Sequence, residues 1–399
     1  MAKRANRIAS LMLHTSPLEQ AGTGDAGGMN VYVVESAKRI AESGVKVDIF
    51  TRANRPNLPA VVEIADGVNV VHLEAGPYGS VTKDELPSQI CALMSSYLRH
   101  ELQKPPGYYD LLHSHYWISG QLGWLVSERY GIPLVHTMHT MAKVKNQSLA
   151  EGESPEPQTR AIGEEQVVQA SAALIANTAS EAASLVSLYD ACPDNVHVVS
   201  PGVDLRTYKV NGGKKSAREK LSIPQDQLML LFVGRIQPHK GPEVLIRAVA
   251  EMLQHTPMLR CKLRAVIMGG PSGNGSSEPE RLEALAKFLG VTDPSYSESF
   301  GLVALEAQAC GTPVVATAVG GLRAAVADGI SGVLVDGHNP KAWSATLMRL
   351  LMEPQRRVLL SLGAVDHASR FGWDATARGI LDVYDQVLSR GAAAKLSVV

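Results

Sequence analysis

Residues 8–50 read IASLMLHTSPLEQAGTGDAGGMNVYVVESAKRIAESGVKVDIF and contain an apolar run, a glycine-rich loop, an amphipathic segment and a second apolar run. Val31 and Val34 have helical spacing, which predicts a helix over Asn30–Ser43. Gly44 follows it as a C-cap residue. A strand, a loop, a helix and a strand in this order are typical of a parallel sheet covered by helices.

The same alternation continues along the chain and then begins again. Further strands of the first half are predicted at Val45–Phe50, Val68–Leu73, Asp110–His113, Pro133–His136, Ala173–Asn177 and Val196–Val199. After Ser200–Asp204, strands are predicted at Leu228–Val233, Leu263–Met268, Pro313–Ala316 and Val333–Val335. Helices of this second half are predicted at Pro242–Leu253, Pro279–Leu289, Phe300–Ala309, Lys341–Leu351 and near Ala375–Ser389. The pattern predicts two doubly wound α/β halves, with ligands bound beyond the carboxyl ends of the strands.

Composition restricts the kinds of protein. The chain has 399 residues, with 38 Lys and Arg against 39 Asp and Glu, so it lacks the basic excess of nucleic-acid-binding proteins. No apolar run reaches the ~18 residues that span a membrane, and Met1–Leu13 lacks the long apolar region of a signal peptide. Four cysteines without a CxxC pair indicate free thiols. We expect a cytoplasmic protein that binds neither nucleic acid nor membrane.

The glycine loop has three interpretations. Gly22–Gly27 matches the GxGxxG pattern of dinucleotide-binding folds, but it does not follow the first strand directly. The next strand is followed by Thr51 and Arg52, without an acid for a ribose diol, although Arg52 would suit NADP. Alternatively, the loop binds an anion at the N-terminus of the next helix, or it is a solvated turn.

Histidines follow two predicted strands. His113–Trp117 reads HSHYW and His136–Thr140 reads HTMHT. Such spacings could start a zinc site, but no HExxH motif and no nearby Asp or Cys completes a ligand set. Histidines that bind a polar substrate, or that are paired inside the protein, are favoured.

Charged residues mark two loops of the second half. Arg235 and Lys240 lie between a predicted strand and a predicted helix. A guanidinium and an ammonium at this place suit a pyrophosphate, but the same sequence pattern would also arise from two solvated surface cations.

Glu298 and Glu306 flank a predicted helix start near Phe300, which would place Glu306 two turns into the helix. Such carboxylates can bind sugar hydroxyls, or Glu298 can simply offset the helix dipole.

These motifs together resemble retaining glycosyltransferases of the GT-B fold, family 4. The resemblance rests on the Glu298/Glu306 pair, the Gly234–Gly241 loop and Ala307–Val315. Further motifs are similar to family members that glycosylate an inositol phosphate at the start of mycothiol biosynthesis, namely His14–Pro17, Gly24–Tyr32, Ala75–Tyr78, His113–Trp117, Val144–Asn146 and Gly269–Gly273. The resemblance covers nearly the whole chain.

The resemblance implies an architecture of two Rossmann-like, doubly wound domains that face a cleft. The acceptor-binding domain would comprise residues 1–202, and the UDP-sugar-binding domain residues 203–370. A C-terminal helix in 371–399 would return to the first domain. A homodimer is also expected.

The resemblance implies transfer of N-acetylglucosamine from UDP-GlcNAc to 1D-myo-inositol 3-phosphate with retention. Arg235 and Lys240 would hold the pyrophosphate, Glu306 the ribose, Glu298 the sugar hydroxyls and His139 the far side of the sugar. The residues expected to be catalytic are His139, Arg235, Lys240 and Glu298. Further donor contacts are expected at Gln20, Ala21 and Gly28. The leaving phosphate would accept the acceptor's proton, while the protein positions the substrates and stabilises charge.

The resemblance also implies an acceptor site. Its residues would be His14, Asp25, Ala26, Gly27, Gly28, Met29, Asn30, Lys83, Tyr116, Thr140 and Arg160. Of these, Lys83 and Arg160 with the hydroxyls of Tyr116 and Thr140 make chemical sense as a phosphate clamp, because they supply two cations and two neutral donors.

The chain departs from the family pattern at Asp293–Pro294. A strand, a loop and a helix of about twenty residues are absent there by family comparison. They would carry an Arg that helps to bind UDP and most of a magnesium loop. Of the family's magnesium positions, Thr312 is the one that this sequence retains, so a bound Mg²⁺ is expected at Thr312.

Three functions stay open from the sequence. The first is an active glycosyltransferase. The second is an NAD(P)-dependent oxidoreductase, suggested by Gly22–Gly27. The third is a non-catalytic or impaired relative that binds a nucleotide sugar, suggested by the Asp293–Pro294 junction.

Overall fold

The computed structural model of the chain describes residues 4–20, 26–79, 81–147, 149, 154–234, 236, 240–269, 278–291 and 302–396. The strands are β1 (Arg7–Leu11), β2 (Lys46–Arg52), β3 (Val61–Ala65), β4 (Val68–Leu73), β5 (Leu111–His115), β6 (Leu134–Thr137), β7 (Ala173–Ala176), β8 (Val196–Val198), β9 (Leu228–Val233), β10 (Leu263–Met268), β11 (Val314–Thr317) and β12 (Gly332–Val335). The helices are α1 (Gly28–Glu42), α2 (Ile90–Glu101), α3 (Trp117–Tyr130), α4 (Ala142–Asn146), α5 (Gln158–Ala170), α6 (Ala179–Tyr189), α7 (Gly213–Lys220), α8 (Pro242–His255), α9 (Glu278–Phe288), α10 (Val303–Ala309), α11 (Leu322–Ala325), α12 (Pro340–Met352), α13 (Pro354–Ser369) and α14 (Trp373–Leu396). None of these helices is long and apolar enough to cross a membrane.

The chain divides into two compact units. The N-terminal unit contains Met1–Glu19, Met29–Pro201 and Trp373–Val399, and the C-terminal unit contains Gln20–Gly28 and Gly202–Gly372. The domain limits expected from the sequence lie next to these divisions and stay a prediction.

The N-terminal unit is built on an eight-stranded sheet in the order β3-β4-β2-β1-β5-β6-β7-β8. Every pair is parallel except β3 with β4. The strands β1 and β5 are almost entirely buried, as expected for a parallel sheet with helices on both faces. The carboxyl ends of β1, β5 and β6 therefore lie side by side.

Helix α14 belongs to the N-terminal unit. Trp373, Ile380 and Tyr384 are buried, and the Thr376 hydroxyl donates to the Ser200 carbonyl at 2.8 Å. Gly379 lies against Val199 so closely that a β-carbon there would contact that side chain. Small and apolar residues thus allow this long helix to pack against the N-terminal unit.

The C-terminal unit has two parallel strand pairs in its described part, β9 with β10 and β11 with β12. Its strand side chains are mostly half-buried, and Leu231 is 47% exposed. The core lies between these strands and the helices α8, α9 and α12, where Ile246, Met252 and Leu347 are buried.

The predicted bounds of β4, β9 and β10 match the structure. Three differences affect the site: α1 begins at Gly28, β5 extends to His115, and α10 begins at Val303. The predicted helix start at Phe300 lies outside the described residues. The sequence does not predict helices α3 and α5. Both helices pack on the sheet and on each other, so their apolar residues do not form the single stripe of a surface helix.

Candidate active site

The candidate site lies where the parallel strands of the N-terminal sheet end. His14 follows β1, Tyr116 follows β5, and His139 and Thr140 follow β6. These strands are neighbours in the order β1-β5-β6. The site is therefore at the edge of the sheet at which ligands bind in doubly wound folds.

The loop after β1 is held by the first helix. The buried Asn30 amide donates to the Thr15 hydroxyl at 3.0 Å and to the Ser16 carbonyl at 2.7 Å. Gly28 and Met29 begin the same helix, and Ala26 and Gly27 precede it. This part of the predicted acceptor site is thus organised around the start of α1.

Tyr116 adopts a conformation that is uncommon outside glycine, with φ at 72°. Such backbone strain costs about 1–3 kcal/mol and is found at functional sites. Its ring lies 4.4 Å from the His14 ring, and the Arg160 guanidinium carbon lies 5.1 Å from its centre. The turn therefore brings three predicted acceptor residues together.

Arg160 contacts three other residues through its guanidinium nitrogens. Its Nη2 donates to the Thr140 hydroxyl at 3.0 Å and to the Thr140 carbonyl at 3.2 Å. Its Nε and Nη1 contact Glu164 and Glu156, each at 2.8 Å. Burial alone would lower the pKa of Arg160, but Tyr116, Glu164 and Glu156 outweigh burial and raise the pKa. The guanidinium is therefore positively charged, and its hydrogen-bond partners fix its orientation.

Glu164 fixes Arg160 in place and has no counterpart in the prediction from sequence. Its side chain is fully buried and also accepts hydrogen bonds from the Ala142 amide at 2.8 Å and from the Tyr189 hydroxyl. The signal that could have revealed it is its position four residues after Arg160, the spacing of ion pairs on a helix.

Close packing places α5, which carries both residues. A β-carbon on Gly163 would contact the Trp117 ring of α3, and one on Gly120 would contact Val167 of α5. Glycine at these two positions therefore allows the helices to approach and brings Arg160 to Tyr116.

The histidines form a buried cluster. His115 Nδ1 and His139 Nε2 share a hydrogen bond of 3.1 Å. His113 bonds the Tyr384 hydroxyl at 2.7 Å and the Thr137 hydroxyl at 2.9 Å, and His136 bonds the Ser114 hydroxyl at 2.7 Å. His113 and His136, the last residues of two predicted strands, lie within β5 and β6, whereas His115, predicted to follow the strand, also lies within β5. His113 and His136 are thus paired inside the protein.

Burial lowers the pKa of all four histidines. The pKa falls to about 3 for His136 and His139 and well below its ordinary value for His113 and His115. The cluster is therefore neutral at pH 7. No group of three or more His, Cys, Asp or Glu side chains in the described ranges could hold a metal ion.

Two of the predicted donor residues, Lys240 and Glu306, lie in the described part of the C-terminal unit. Glu306 lies in the first turn of α10 rather than two turns in, because the helix begins at Val303. Burial raises the pKa of Glu306, partly offset by a hydrogen bond from Tyr208. Lys240 is exposed and directly precedes Gly241, the N-cap of α8. Thr312 follows α10, and its amide donates to the Ala307 carbonyl at 2.8 Å.

Several predicted residues lie outside the described part of the chain: Ala21, Asp25, Arg235, Glu298 and the Asp293–Pro294 junction. Gln20 and Lys83 are exposed on loops, and their substrate roles stay predictions. Arg52 donates to the carbonyls of Pro77 at 2.9 Å and Gly79 at 2.6 Å. It therefore holds a loop, which argues against the NADP interpretation.

Solved structures with the same fold identify the class. A sucrose-phosphate synthase from Thermosynechococcus elongatus has a TM-score of 0.86 and 27% identity, over 96% of this chain and 98% of that chain. WaaG, a glycosyltransferase involved in lipopolysaccharide biosynthesis, has a TM-score of 0.68 and 18% identity, over 94% of this chain and 99% of that one, and shows the fold alone. The fold and the site define a GT-B glycosyltransferase, an enzyme of the hexosyltransferase class. The predicted GT-B fold is thus confirmed and the oxidoreductase alternative is wrong.

Family models and close relatives identify the family. A glycosyl transferase 4-like domain matches residues 27–202, and the glycosyl transferases group 1 model matches 213–293 and 294–362. A protein from Thermomonospora curvata, named D-inositol 3-phosphate glycosyltransferase, is 54% identical over 95% of each chain. One with the same name from Thermobispora bispora is 52% identical over 97% of this chain and 96% of its own. The chain therefore belongs to the group 1 glycosyltransferases, in the branch whose members carry this name.

The comparisons also bear on the Asp293–Pro294 junction. The two group 1 segments meet there, between residues 293 and 294. The alignment with the T. bispora protein has 413 positions, whereas 97% of 399 residues is about 387, so about 26 positions are gaps in this chain. This total over the whole alignment is similar to the length of the strand–helix unit that the family pattern leads one to expect.

Proposed function

We propose that this chain transfers N-acetylglucosamine from UDP-GlcNAc to 1D-myo-inositol 3-phosphate, with retention, as the first step of mycothiol biosynthesis. The observation that carries the proposal is the contact of Arg160 with Tyr116 and Thr140 at the strand ends. These are predicted ligands of the acceptor phosphate, and the relatives' shared name gives inositol 3-phosphate as their acceptor.

Acceptor binding would rest on placed cations, since the net charge of the chain is −1. Arg160 would give the phosphate a planar pair of donors, which fits phosphate oxygens. Hydroxyls of Tyr116 and Thr140 would add neutral hydrogen bonds. Unphosphorylated inositol would lose these interactions and bind more weakly.

The transfer step would rest on position and charge. The leaving phosphate of UDP would accept the proton of the acceptor hydroxyl on the same face of the sugar, which gives retention. Arg235 and Lys240 would stabilise charge on the departing UDP. His139 is neutral, and its Nε2 is bonded to His115, so its Nδ1 would be the atom that contacts the sugar as a neutral hydrogen-bonding group.

Magnesium, a homodimer and a cytoplasmic location also stay proposals. Thr312 has no group of three acidic, histidine or cysteine side chains around it among the described residues. A single threonine does not fit the oxygen-rich shell that Mg²⁺ prefers. No step of the transfer is therefore assigned to a metal.

The test is turnover with the two substrates, measured as UDP release. UDP-GlcNAc with inositol 3-phosphate is expected to release UDP, and myo-inositol is expected to do so far more slowly. The anomeric configuration of the product, read by NMR, tests retention. UDP release at equal rates with both acceptors would contradict the proposed acceptor.

A second candidate is a relative that binds the nucleotide sugar but turns it over poorly. It is favoured by the total of about 26 alignment positions that are gaps in this chain and by the split of the group 1 match at 293/294. Binding of UDP-GlcNAc without UDP release would support this candidate against the first.

A further inference from the structure

Glu156 lies between two cations at the edge of the candidate acceptor site. Its Oε1 is 2.6 Å from Lys145 Nζ, and its Oε2 is 2.8 Å from Arg160 Nη1. Lys145 belongs to the Val144–Asn146 motif, to which the proposed function gives no role. Two cations that converge on one carboxylate form an arrangement that also suits the oxygens of a phosphate.

Of the two carboxylates on Arg160, only Glu156 can leave at low cost. Glu164 is fully buried and has three hydrogen-bond partners. Moving it would break these bonds and leave buried polar groups without partners, which is costly. The Glu156 side chain is 24% exposed. Its backbone amide donates to Asn146 Oδ1 at 2.7 Å, so the side chain can rotate away while the main chain stays in place.

Glu156 carries a negative charge in this position. Burial raises its pKa, but hydrogen bonds and charge from Lys145 and Arg160 outweigh burial and lower the pKa overall. It therefore neutralises Arg160, whose side chain is only 6% exposed. Without Glu156 and without a substrate, the guanidinium would have lost one of its two counter-charges.

We propose that Glu156 is a built-in competitor for the acceptor phosphate and that Lys145 becomes a phosphate ligand once Glu156 is displaced. This proposal rests on the proposed function, because it assumes a phosphorylated acceptor. A phosphate has more charge and more oxygens than a carboxylate, so it displaces Glu156 from both cations. A neutral polyol lacks that charge and leaves the ion pairs closed, so Glu156 adds selectivity for phosphorylated acceptors.

The decisive variant is Glu156→Gln, compared with Glu165→Gln. Glu165 lies on α5, the helix that carries Arg160, and it pairs with a different lysine, Lys143, at 2.6 Å. Both variants remove one negative charge. A change of KM in Glu156→Gln alone would therefore reflect the loss of the competing carboxylate, whereas a change in both variants would reflect general electrostatics. Glu156→Gln is expected to lower the KM for inositol 3-phosphate about tenfold, which corresponds to about 1.4 kcal/mol, with less than a twofold change in Glu165→Gln.

Two further measurements complete the test. Lys145→Met is expected to raise the KM for inositol 3-phosphate about tenfold at nearly constant kcat, because it removes a phosphate ligand. Calorimetry with inorganic phosphate is expected to show tighter binding to Glu156→Gln than to the wild type, whether or not the enzyme turns over. Thermal unfolding of each variant verifies that it is folded.

The outcomes separate this proposal from the proposed function. An unchanged or higher KM and unchanged phosphate binding in Glu156→Gln would show that Glu156 only supports Arg160, and would overturn the inference. Equal gains in Glu156→Gln and Glu165→Gln would overturn it too. No turnover of inositol 3-phosphate by the wild type, together with tighter phosphate binding in Glu156→Gln, would instead contradict the proposed function and leave the competitor role supported.

Discussion

The two units of this protein use similar strands in different ways. In the N-terminal unit, eight strands form one sheet, and the central strands β1 and β5 are almost entirely buried. In the described part of the C-terminal unit, strands pair two by two, and apolar residues such as Leu231 are half exposed. Apolar runs of the same kind are thus fully covered in one unit and only partly covered in the other.

The difference extends to the candidate binding residues. The N-terminal unit holds Tyr116, Thr140 and Arg160 in direct contact, with Glu164 buried beneath them. In the C-terminal unit, Lys240 and Glu306 lie at the starts of two helices. A site that rests on a covered sheet is fixed by its neighbours, so changes there should affect folding as well as binding.

The largest effect is expected from Arg160→Met. The substitution leaves Glu164 buried without its cation, which costs about 3–5 kcal/mol of unfolding free energy. Urea unfolding measures this loss. The double variant Arg160→Met with Glu164→Gln should recover much of the stability but not the low KM for inositol 3-phosphate, since the phosphate ligand is still absent. An unchanged free energy of unfolding in Arg160→Met would contradict the view that the N-terminal site is fixed by its buried neighbours.

Lys240→Ala should affect the reaction rather than folding. An exposed lysine that stabilises departing charge contributes about 10²–10³-fold to kcat, while the acceptor KM should stay nearly constant. Steady-state kinetics with both substrates measures the split. Lys262→Ala, an exposed lysine of the same unit, is the control and should leave kcat unchanged. A wild-type rate in Lys240→Ala would count against the pyrophosphate role.

The pairing of strands two by two, as seen in the described part of the C-terminal unit, is tested by insertion at the Asp293–Pro294 junction. The stretch of the T. curvata relative that lies between its counterparts of Asp293 and Pro294 is inserted between these two residues. If a strand is absent there, the insertion should raise kcat/KM about 100-fold, about 2.7 kcal/mol, because it restores positioning groups for UDP. A Gly/Ser insertion of equal length is the control. Equal effects of both insertions would show that length alone matters.

An effect of pH is expected in the N-terminal unit, because its buried histidines bind protons more weakly in the folded state than in the unfolded chain. In the folded state, burial lowers the pKa of His136 and His139 to about 3, whereas the unfolded chain binds these protons near pH 6.5. Stability should therefore fall as the pH decreases from about 6.5 toward 3, by at most about 1.4 kcal/mol per pH unit for each histidine.

Tryptophan fluorescence can follow this unit alone. Trp117, Trp124 and Trp373 lie in the N-terminal unit, and Trp343 lies in the C-terminal unit. In a Trp343→Phe background, the fluorescence Tm should decrease between pH 7 and pH 5. A constant Tm over this range would show that the histidine cluster takes up protons without unfolding.

Much of the fold could be predicted because its signals are local. The bounds of β4, β9 and β10 follow from apolar runs between turn residues. The start of α8 follows from Pro242 at the first helical position. Helices α3 and α5 had no such signal, since their surroundings are buried on more than one side, and glycine contacts rather than periodicity set their packing.

The candidate site divides in the same way. The α/β class, the polar residues after the strands and the motifs of the family resemblance can all be read from the sequence. Which charged groups contact each other depends on the folded structure. Arg160 shares one guanidinium between Glu156 and Glu164, and His113 bonds Tyr384 from a helix 271 residues away. The physical reason is that burial and charge pairing depend on contacts distant in the chain, which set both the protonation of each group and its freedom to bind a substrate.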